Sequence, residues 1–176
     1  LSSYKPQQFM RRLPSLLARA RVSSLAEYRD LLVQDPQRLR EFMDWVGIHV
    51  SEFFRDPAVY QFVETQVLPQ LIRRSGVLRI WSAGCSIGAE PYSLAMLLED
   101  LGSGRPYRLL ASDVSPEVLR LAQKGGPYRE DHVRSLSPER RRRWLTERPE
   151  GLWLRRELIA KVQFFRHDLL QDPYPK

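Results

Sequence analysis

The sequence has 176 residues, 43% of them hydrophobic, which suffices for one ordinary core or for a small helical unit beside a larger domain. Lys and Arg number 28 against 21 Asp and Glu, and the net charge of +7 favours an acidic partner such as nucleic acid, an anionic membrane or an acidic protein surface. No apolar run approaches the roughly 20 residues of a membrane helix, and nothing resembles a secretory signal. The single cysteine, Cys85, excludes an internal disulfide and is typical of a reducing compartment, so we expect a cytoplasmic protein. No paired Cys or His spacing indicates a metal site.

The first third of the chain is predicted to form short helices. Apolar residues recur at helical spacing over 6–21, a segment that Pro14 should start, kink or split. Ser24 and Glu27 have the spacing of a capping box at the start of a second helix. A third helix is expected over 35–47. Because none of these helices is long enough to be stable alone, they are expected to pack together.

The rest of the chain alternates between helices and strands. A helix is expected over 57–74 with a bend at Pro69, followed by a buried strand over 77–83. The further predicted elements are a helix over 91–101, a strand over 107–113, a helix over 116–124, a helix that begins at 138 and a strand over 161–165. Strands and helices that alternate with short connections form a parallel sheet with right-handed crossovers.

A loop of small residues, Ser82-Ala83-Gly84-Cys85-Ser86-Ile87-Gly88, joins the first predicted strand to its helix. Such a loop lets a ligand approach the backbone, and the helix N-terminus offers unpaired amides to an anionic group. Asp113 ends the second strand, where a carboxylate can accept hydrogen bonds from ribose hydroxyls. The GxGxxG spacing of dinucleotide sites is absent, and no Lys-Ser or Lys-Thr follows the glycines, which disfavours a triphosphate loop. From the residues alone, a cofactor seat and a plain tight turn with Asp113 as a helix cap are about equally supported.

Longer stretches of the sequence resemble one family. "RIWSAGCSIGAEPYSLAM" is similar to the S-adenosylmethionine motif of the CheR family, the chemotaxis receptor glutamate methyltransferases. "VGIHVSEFFRDP" resembles the family signature Ile-Asn-Val-Thr-Glu-Phe-Phe-Arg-Asn/Asp, and "LLASDVSPEVLRLAQKGGPY" resembles its Ala-Thr-Asp-Ile segment and the helix ending in Gly-x-Tyr. "YKPQQFMRRL" and "VQFFRHDLL" look like the start of the family's helical domain and its late strand. The matches follow the family order over almost the whole chain.

The resemblance implies an α/β protein in two parts. Residues 1–55 would form a small all-helical N-terminal domain with a linker that contacts the cofactor, and 56–176 a Rossmann-like, doubly wound class I methyltransferase domain that binds S-adenosyl-L-methionine. In the family the chain continues into a further central strand, a catalytic tyrosine and a small β subdomain. We therefore expect the methyltransferase domain of this chain to be incomplete at its C-terminal end.

The resemblance also implies the cofactor contacts. The positions that match the family's contacts are Ser51, Arg55, Gly84, Glu90, Asp113 and Leu169. His49 and Asp168 stand where the family usually has Asn. A histidine can still donate or accept one hydrogen bond, whereas an ionised Asp168 can only accept one, for example from the adenine amine.

Two of these residues have expected chemical roles. Glu90 is the candidate for the cofactor's ammonium group, and Arg55 for orienting a carboxylate of cofactor or substrate, which makes Arg55 the catalytic candidate. The alternative for Arg55 is a surface salt bridge with Glu52 or Asp56. No general base is expected, because a substrate glutamate is already ionised at neutral pH.

The basic charge suggests a docking surface. Lys5, Arg12 and Arg19 recur every seven residues beside the apolar stripe of the first helix, where they would form a basic ridge. The resemblance implies that the substrates are glutamates on the acidic cytoplasmic domains of methyl-accepting chemotaxis receptors, which such a ridge would suit. The plainer alternative is a solvated helix face.

The implied function is methyl ester formation on receptor glutamates, with S-adenosyl-L-homocysteine as the second product and with neither nucleic acid nor direct membrane insertion. Two alternatives remain: an S-adenosylmethionine methyltransferase that acts on RNA or a small molecule, and a non-catalytic module that docks on receptors.

Overall fold

The computed structural model describes residues 6–39, 42, 51–102 and 104–175. The chain forms two compact units, Leu1–His49 and Val50–Lys176. The domain boundary expected after residue 55 stays a prediction; in the structure, residues 51–55 belong to the second unit. Lys5 and His49 lie outside the described residues.

The first unit contains two of the predicted helices. Helix α1 is Pro6–Ala20 and holds Pro14 within its length, and α2 is Leu25–Gln34. Of the predicted third helix, 36–39 and Phe42 are helical, and the remainder lies outside the described residues. The described core of this unit consists of Leu13, Leu16, Tyr28 and Phe42.

The capping residues of α2 differ in part from the prediction. The Ser24 side chain accepts a hydrogen bond from the Glu27 amide, as expected for an N-cap. The Glu27 carboxylate, however, accepts from the amide and hydroxyl of Ser23, which offers it two donors at once. The start of the helix was therefore predicted correctly, but the partner of Glu27 was not.

The second unit opens with a helical stretch in three pieces. Helix α3 is Pro57–Phe62, a π-helical turn follows over Val63–Val67, and α4 is Leu68–Ile72. The Leu68 amide donates to Val63 O, the i to i+5 bond of a π turn. Pro69 has no amide hydrogen to donate, so the irregularity predicted at this proline takes the form of a widened turn just before it. None of the described helices has both the length and the apolar character needed to cross a membrane.

A three-stranded parallel sheet follows, as predicted. Its strands are β1 (Leu78–Ala83), β2 (Tyr107–Asp113) and β5 (Val162–Arg166), in the order β1-β2-β5. The crossover helices are α5 (Ala89–Leu101) and α6 (Pro116–Lys124). Parallel strands end at the same edge, so this register places the loop after β1, the end of β2 and the segment after β5 side by side.

The segment between α6 and β5 holds elements that the sequence did not reveal. In chain order they are α7 (Glu130–Val133), α8 (Pro138–Trp144), β3 (Leu145–Arg148), β4 (Gly151–Leu154) and α9 (Arg156–Ile159). Only the start of α8 was predicted. Strands β3 and β4 form an antiparallel hairpin, which Tyr128 joins to the rest of the unit through two backbone hydrogen bonds with Leu152.

Helix α5 lies at the centre of the core. Tyr92, Ala95, Met96 and Leu97 are all fully buried, so this helix is apolar nearly all round. Its N-terminus begins directly after the small-residue loop over 82–88, called the glycine loop below. A helix held so firmly fixes the position of the loop that precedes it.

Candidate active site

Four backbone amides of the loop between β1 and α5 donate hydrogen bonds within the protein. The amides of Gly84 and Cys85 both donate to Ser112 O at 2.8 Å, and the Gly88 amide donates to Cys85 O at 3.0 Å. The Ser86 amide donates to Asp113 Oδ2 at 2.8 Å. These four amides are directed into the protein, so the loop does not present them to a phosphate. The loop is therefore suited to a ligand that packs closely against the backbone and not to an anionic group that needs free amides.

Two glycines of this loop have opposite surroundings. Gly84 has φ +75°, and a Cβ added there would meet nothing within 4 Å. Gly88 has φ +87°, and its added Cβ would lie 3.0 Å from Ala122 Cβ and from Tyr92 Cε2. Gly84 therefore opens onto space that a ligand can use, whereas Gly88 is required by packing.

Asp113 holds two loops together. Its Oδ2 accepts from the Ser86 amide, and its Oδ1 accepts from the Ser115 amide at 3.0 Å. An ionised carboxylate has about four acceptor positions, so each oxygen keeps capacity for a ligand hydroxyl. Asp113 thus joins two loops and is not the helix cap that the sequence suggested, since the N-cap of α6 is Ser115. Its role in ligand binding stays a prediction.

Glu90 lies in the first turn of α5. Its side chain is exposed, and Oε1 accepts a hydrogen bond of 2.7 Å from the hydroxyl of Ser82, which is buried in β1. This bond ties the carboxylate to the strand below it. A carboxylate at this place suits a ligand ammonium group.

Arg55 lies on a turn over residues 53–56, the Arg55 turn, which has an unusual backbone conformation. Its neighbours Phe54 and Asp56 have φ of +53° and +59°, a region that costs free energy for residues other than glycine. The Arg55 side chain is more than half exposed, with Nε 3.8 Å from Asp56 Oδ2. Of the two salt-bridge partners that the sequence suggested, Asp56 is therefore confirmed. The Glu52 carboxylate pairs with Arg134 and interacts with Arg55 only through its charge.

The Arg55 turn and the glycine loop are joined through buried side chains. The Phe54 amide donates to Ser93 Oγ at 3.0 Å, and Ser93 lies one turn after Glu90 on α5. Phe53 packs edge-on against Tyr128 with ring centroids 5.0 Å apart, and the Tyr128 hydroxyl donates to Ile87 O at 2.9 Å. Two separate routes therefore fix the turn against the loop.

The segment after β5 completes this edge of the sheet. The amide of His167 donates to Asp113 O at 3.0 Å, which brings Asp168 next to the end of β2. Asp168 Oδ1 accepts from the Leu170 amide at 2.9 Å, and the Leu169 side chain is half exposed. The structure thus brings together Gly84, Asp113 and Asp168. Ser51 is half-buried, and its role stays a prediction.

The nucleophilic and histidine side chains nearby have structural surroundings. Burial, with the charge of Asp113 second, raises the pKa of the Cys85 thiol to about 12. Burial also lowers the pKa of His132, whose Nδ1 accepts from the Arg129 amide. His167 is buried between Trp81 and Phe165. These burial and packing contacts give the three residues structural surroundings and assign them no chemical role.

Comparison with known families assigns both units. Residues 1–46 match the family described as "CheR methyltransferase, all-alpha domain", and residues 49–176 match "CheR methyltransferase, SAM binding domain". The chain belongs to the CheR methyltransferase family. The predicted fold class and the cofactor, S-adenosyl-L-methionine, are thereby confirmed.

Curated relatives give the same picture. The chain is 37% identical to "Chemotaxis protein methyltransferase" of Listeria monocytogenes, over all of this chain and 67% of the relative. It is 33% identical to "Chemotaxis protein methyltransferase 1" of Pseudomonas aeruginosa, over 99% of this chain and 67% of that protein. It is 31% identical to "Chemotaxis protein methyltransferase" of Escherichia coli K12, over 99% of this chain and 62% of that protein. The chain thus spans about two thirds of the length of these CheR relatives.

The residues at the strand ends fit this cofactor. S-adenosylmethionine carries ribose hydroxyls, an ammonium group and a carboxylate, which match a carboxylate with spare acceptor capacity, an exposed glutamate and an exposed arginine. Asp113, Glu90 and Arg55 carry groups of these kinds, and the space above Gly84 is open. Their contacts with the cofactor stay predictions. The inward-turned loop amides also fit a cofactor without phosphate groups.

Several supporting residues escaped sequence reasoning. Ser82, Ser93 and Tyr128 each make a hydrogen bond that holds the site, yet none carries a charge or a motif role of its own. Their signal was their position inside the stretches that resemble the family. The sequence predicted roles for the candidate cofactor residues but not for the buried residues that hold them in place.

Replacement of Gly84 by alanine is expected to reduce mainly ligand affinity, whereas replacement of Gly88 is expected to reduce mainly stability. Gly84→Ala should weaken binding of S-adenosylhomocysteine by about tenfold or more, because the new Cβ enters the open space. Its free energy of unfolding should fall by only about 1–2 kcal/mol from the positive φ. Gly88→Ala adds steric overlap, and its free energy of unfolding should fall by about 2–5 kcal/mol. Calorimetry and urea unfolding measure both effects, and unchanged affinity in Gly84→Ala would contradict the assignment.

Cys85 is expected to be inert in the folded protein. Its raised pKa leaves little thiolate at pH 8, and the side chain is buried. Alkylation by iodoacetamide at pH 8 should be at least about 100-fold slower in the native protein than in urea. Equal rates in the two states would show that the loop is open and that the thiol is accessible.

Proposed function

We propose that this chain transfers the methyl group of S-adenosylmethionine to glutamate side chains on the cytoplasmic domains of chemotaxis receptors. The products would be a glutamate methyl ester and S-adenosylhomocysteine. The observation that carries the proposal is the hydrogen bond from Phe54 to Ser93, which fixes the turn bearing Arg55 against the helix bearing Glu90. The names of the curated relatives support the choice of substrate.

The protein's contribution would be binding and alignment. S-adenosylmethionine supplies an activated methyl group on a sulfonium centre. Arg55 would hold a carboxylate with its two-pronged donor group, Glu90 the ammonium group, and Asp113 the ribose hydroxyls. The substrate glutamate is already ionised at neutral pH and needs no proton acceptor from the protein. Alignment of reacting groups can supply about 7–11 kcal/mol of barrier reduction in favourable cases.

The receptor would approach along the first unit. Arg19 is exposed in the last turn of α1, and Arg12 lies one heptad earlier in the same helix. With Lys5 they would form the basic ridge that attracts an acidic receptor helix.

Methyl transfer from labelled S-adenosylmethionine tests the function directly. Purified receptor cytoplasmic domain should become labelled, and mild alkali should release the label as methanol, because methyl esters are base-labile. Bulk RNA serves as the competing substrate. Label in RNA but not in receptor would favour a nucleic acid methyltransferase, and an absence of label together with receptor binding would favour a non-catalytic docking module.

Removal of the Arg55 side chain is expected to abolish most activity and leave the fold intact. Arg55→Ala loses a charge-assisted contact, so its affinity for S-adenosylhomocysteine should fall by about 10- to 100-fold, with a larger fall in methylation rate. The matched control is Arg120→Ala, an exposed arginine on α6 that pairs with Glu117. Methylation near the wild-type rate in Arg55→Ala would rule out the proposed role.

Neutralisation of the basic ridge is expected to affect receptor binding alone. The triple variant Lys5→Gln, Arg12→Gln and Arg19→Gln should raise the Michaelis constant for receptor by roughly 3- to 10-fold at low salt, with unchanged cofactor affinity. Arg29→Gln is the control, since Asp30 already offsets that charge. An unchanged Michaelis constant would assign the ridge to solubility.

A further inference from the structure

We propose that Glu52, Arg134 and Ser135 form a clamp that positions the Arg55 turn for cofactor binding. The inference rests on the proposed role of Arg55. None of the three clamp residues was expected to contact the cofactor. The clamp would act on Arg55 through the backbone of the turn, where the Arg55 amide donates to Glu52 O, and through the electrostatic attraction between Glu52 and Arg55.

The clamp is a buried carboxylate with three donors. Arg134 donates through Nε to Glu52 Oε1 at 3.0 Å and through Nη2 to Oε2 at 2.6 Å, and the Ser135 hydroxyl donates to Oε1 at 2.5 Å. The Glu52 side chain is only 7% exposed. The hydrogen bonds from Arg134 and then Ser135 lower the pKa of Glu52, so it is ionised at neutral pH. A buried charge of this kind depends on its partners.

The clamp adjoins the strained part of the turn. Phe54 and Asp56, on either side of Arg55, both have positive φ. Such conformations persist only when the surroundings hold the backbone firmly. Glu52 lies immediately before this turn, so its fixed carboxylate limits the ways in which the backbone can relax.

One short segment holds Glu52 and Phe53, the last residue before the turn and the first residue within it. The Phe53 amide donates to His132 O at 2.8 Å, while Arg134 and Ser135 hold Glu52. The segment is itself fixed, because Val133 is fully buried in the core. Residues 132–135 therefore support the backbone at the start of the turn.

Arg140 supports the turn from another direction, outside the clamp. Its guanidinium lies 4.4 Å from the Phe54 ring centroid and pairs with Glu64 and Asp100. Phe54 is thus held by its ring and by its amide, whereas Glu52 is held by Arg134 and Ser135. Loss of the clamp should loosen the turn without unfolding it.

A double-mutant cycle separates positioning from plain structural support. Glu52→Gln should weaken S-adenosylhomocysteine binding by about tenfold, measured by calorimetry on the chain. Combined with Arg55→Ala, it should add no more than twofold to the loss caused by Arg55→Ala alone, because both changes act through the same contact. Losses that multiply would overturn the proposal, since the clamp would then act independently of Arg55. Wild-type affinity in Glu52→Gln would also overturn it.

Companion variants keep the test decisive. Ser135→Ala should lose affinity and Ser135→Thr should retain it, because threonine keeps the hydroxyl. If Glu52→Gln does not fold in urea titrations, Arg134→Lys replaces it in the cycle; this side chain is 70% exposed and the lysine cannot donate from two nitrogens. Arg129→Gln is the control, since this arginine is exposed and its ion pair among the described residues is with its neighbour Asp131; the affinity of this variant should stay within twofold of the wild type.

The outcome also separates this inference from the proposed function. If Arg55→Ala binds S-adenosylhomocysteine as well as the wild type, the role of Arg55 fails and the clamp fails with it. If Arg55→Ala loses affinity and Glu52→Gln does not, the clamp alone is wrong.

Discussion

The site depends on one carboxylate at the end of a parallel strand. Asp113 accepts the Ser86 amide from the neighbouring loop and the Ser115 amide from its own, so it ties both loops to the sheet edge. The pairing of β1 with β2 makes this possible because it places the two strand ends together. A carboxylate held by two amides keeps its orientation and can still accept from a ligand.

The remainder of the site is strained backbone held by buried side chains. The glycine loop and the Arg55 turn both contain residues with positive φ, including Ser86, which is not a glycine. Tyr128 and Ser93 anchor these segments from the core. Such rigidity suits an enzyme whose main task is to align a cofactor with a substrate that is already nucleophilic. In that sense the buried supports matter as much as the exposed contacts.

The sequence predicted the parts of this arrangement that depend on local signals. The strand, small-residue loop and helix around Gly84, and the strand ending at Asp113, follow from periodicity and composition. The pairing of Glu52 with Arg134 could not be predicted, because Arg134 is 82 residues away and the partner suggested by the sequence was the nearby Arg55. The hairpin of β3 and β4 was also missed, since strands of four residues after an arginine run carry little periodic signal.

The Arg55 turn and the glycine loop are inferred to form one cofactor seat. Hydrogen exchange of the chain with and without S-adenosylhomocysteine tests this inference most directly, because it reports both segments in one experiment. We expect slower exchange in peptides covering 51–56 and 83–90, with α1 and the hairpin unchanged. Protection of the glycine loop alone, or of neither segment, would show that the two segments do not form one seat.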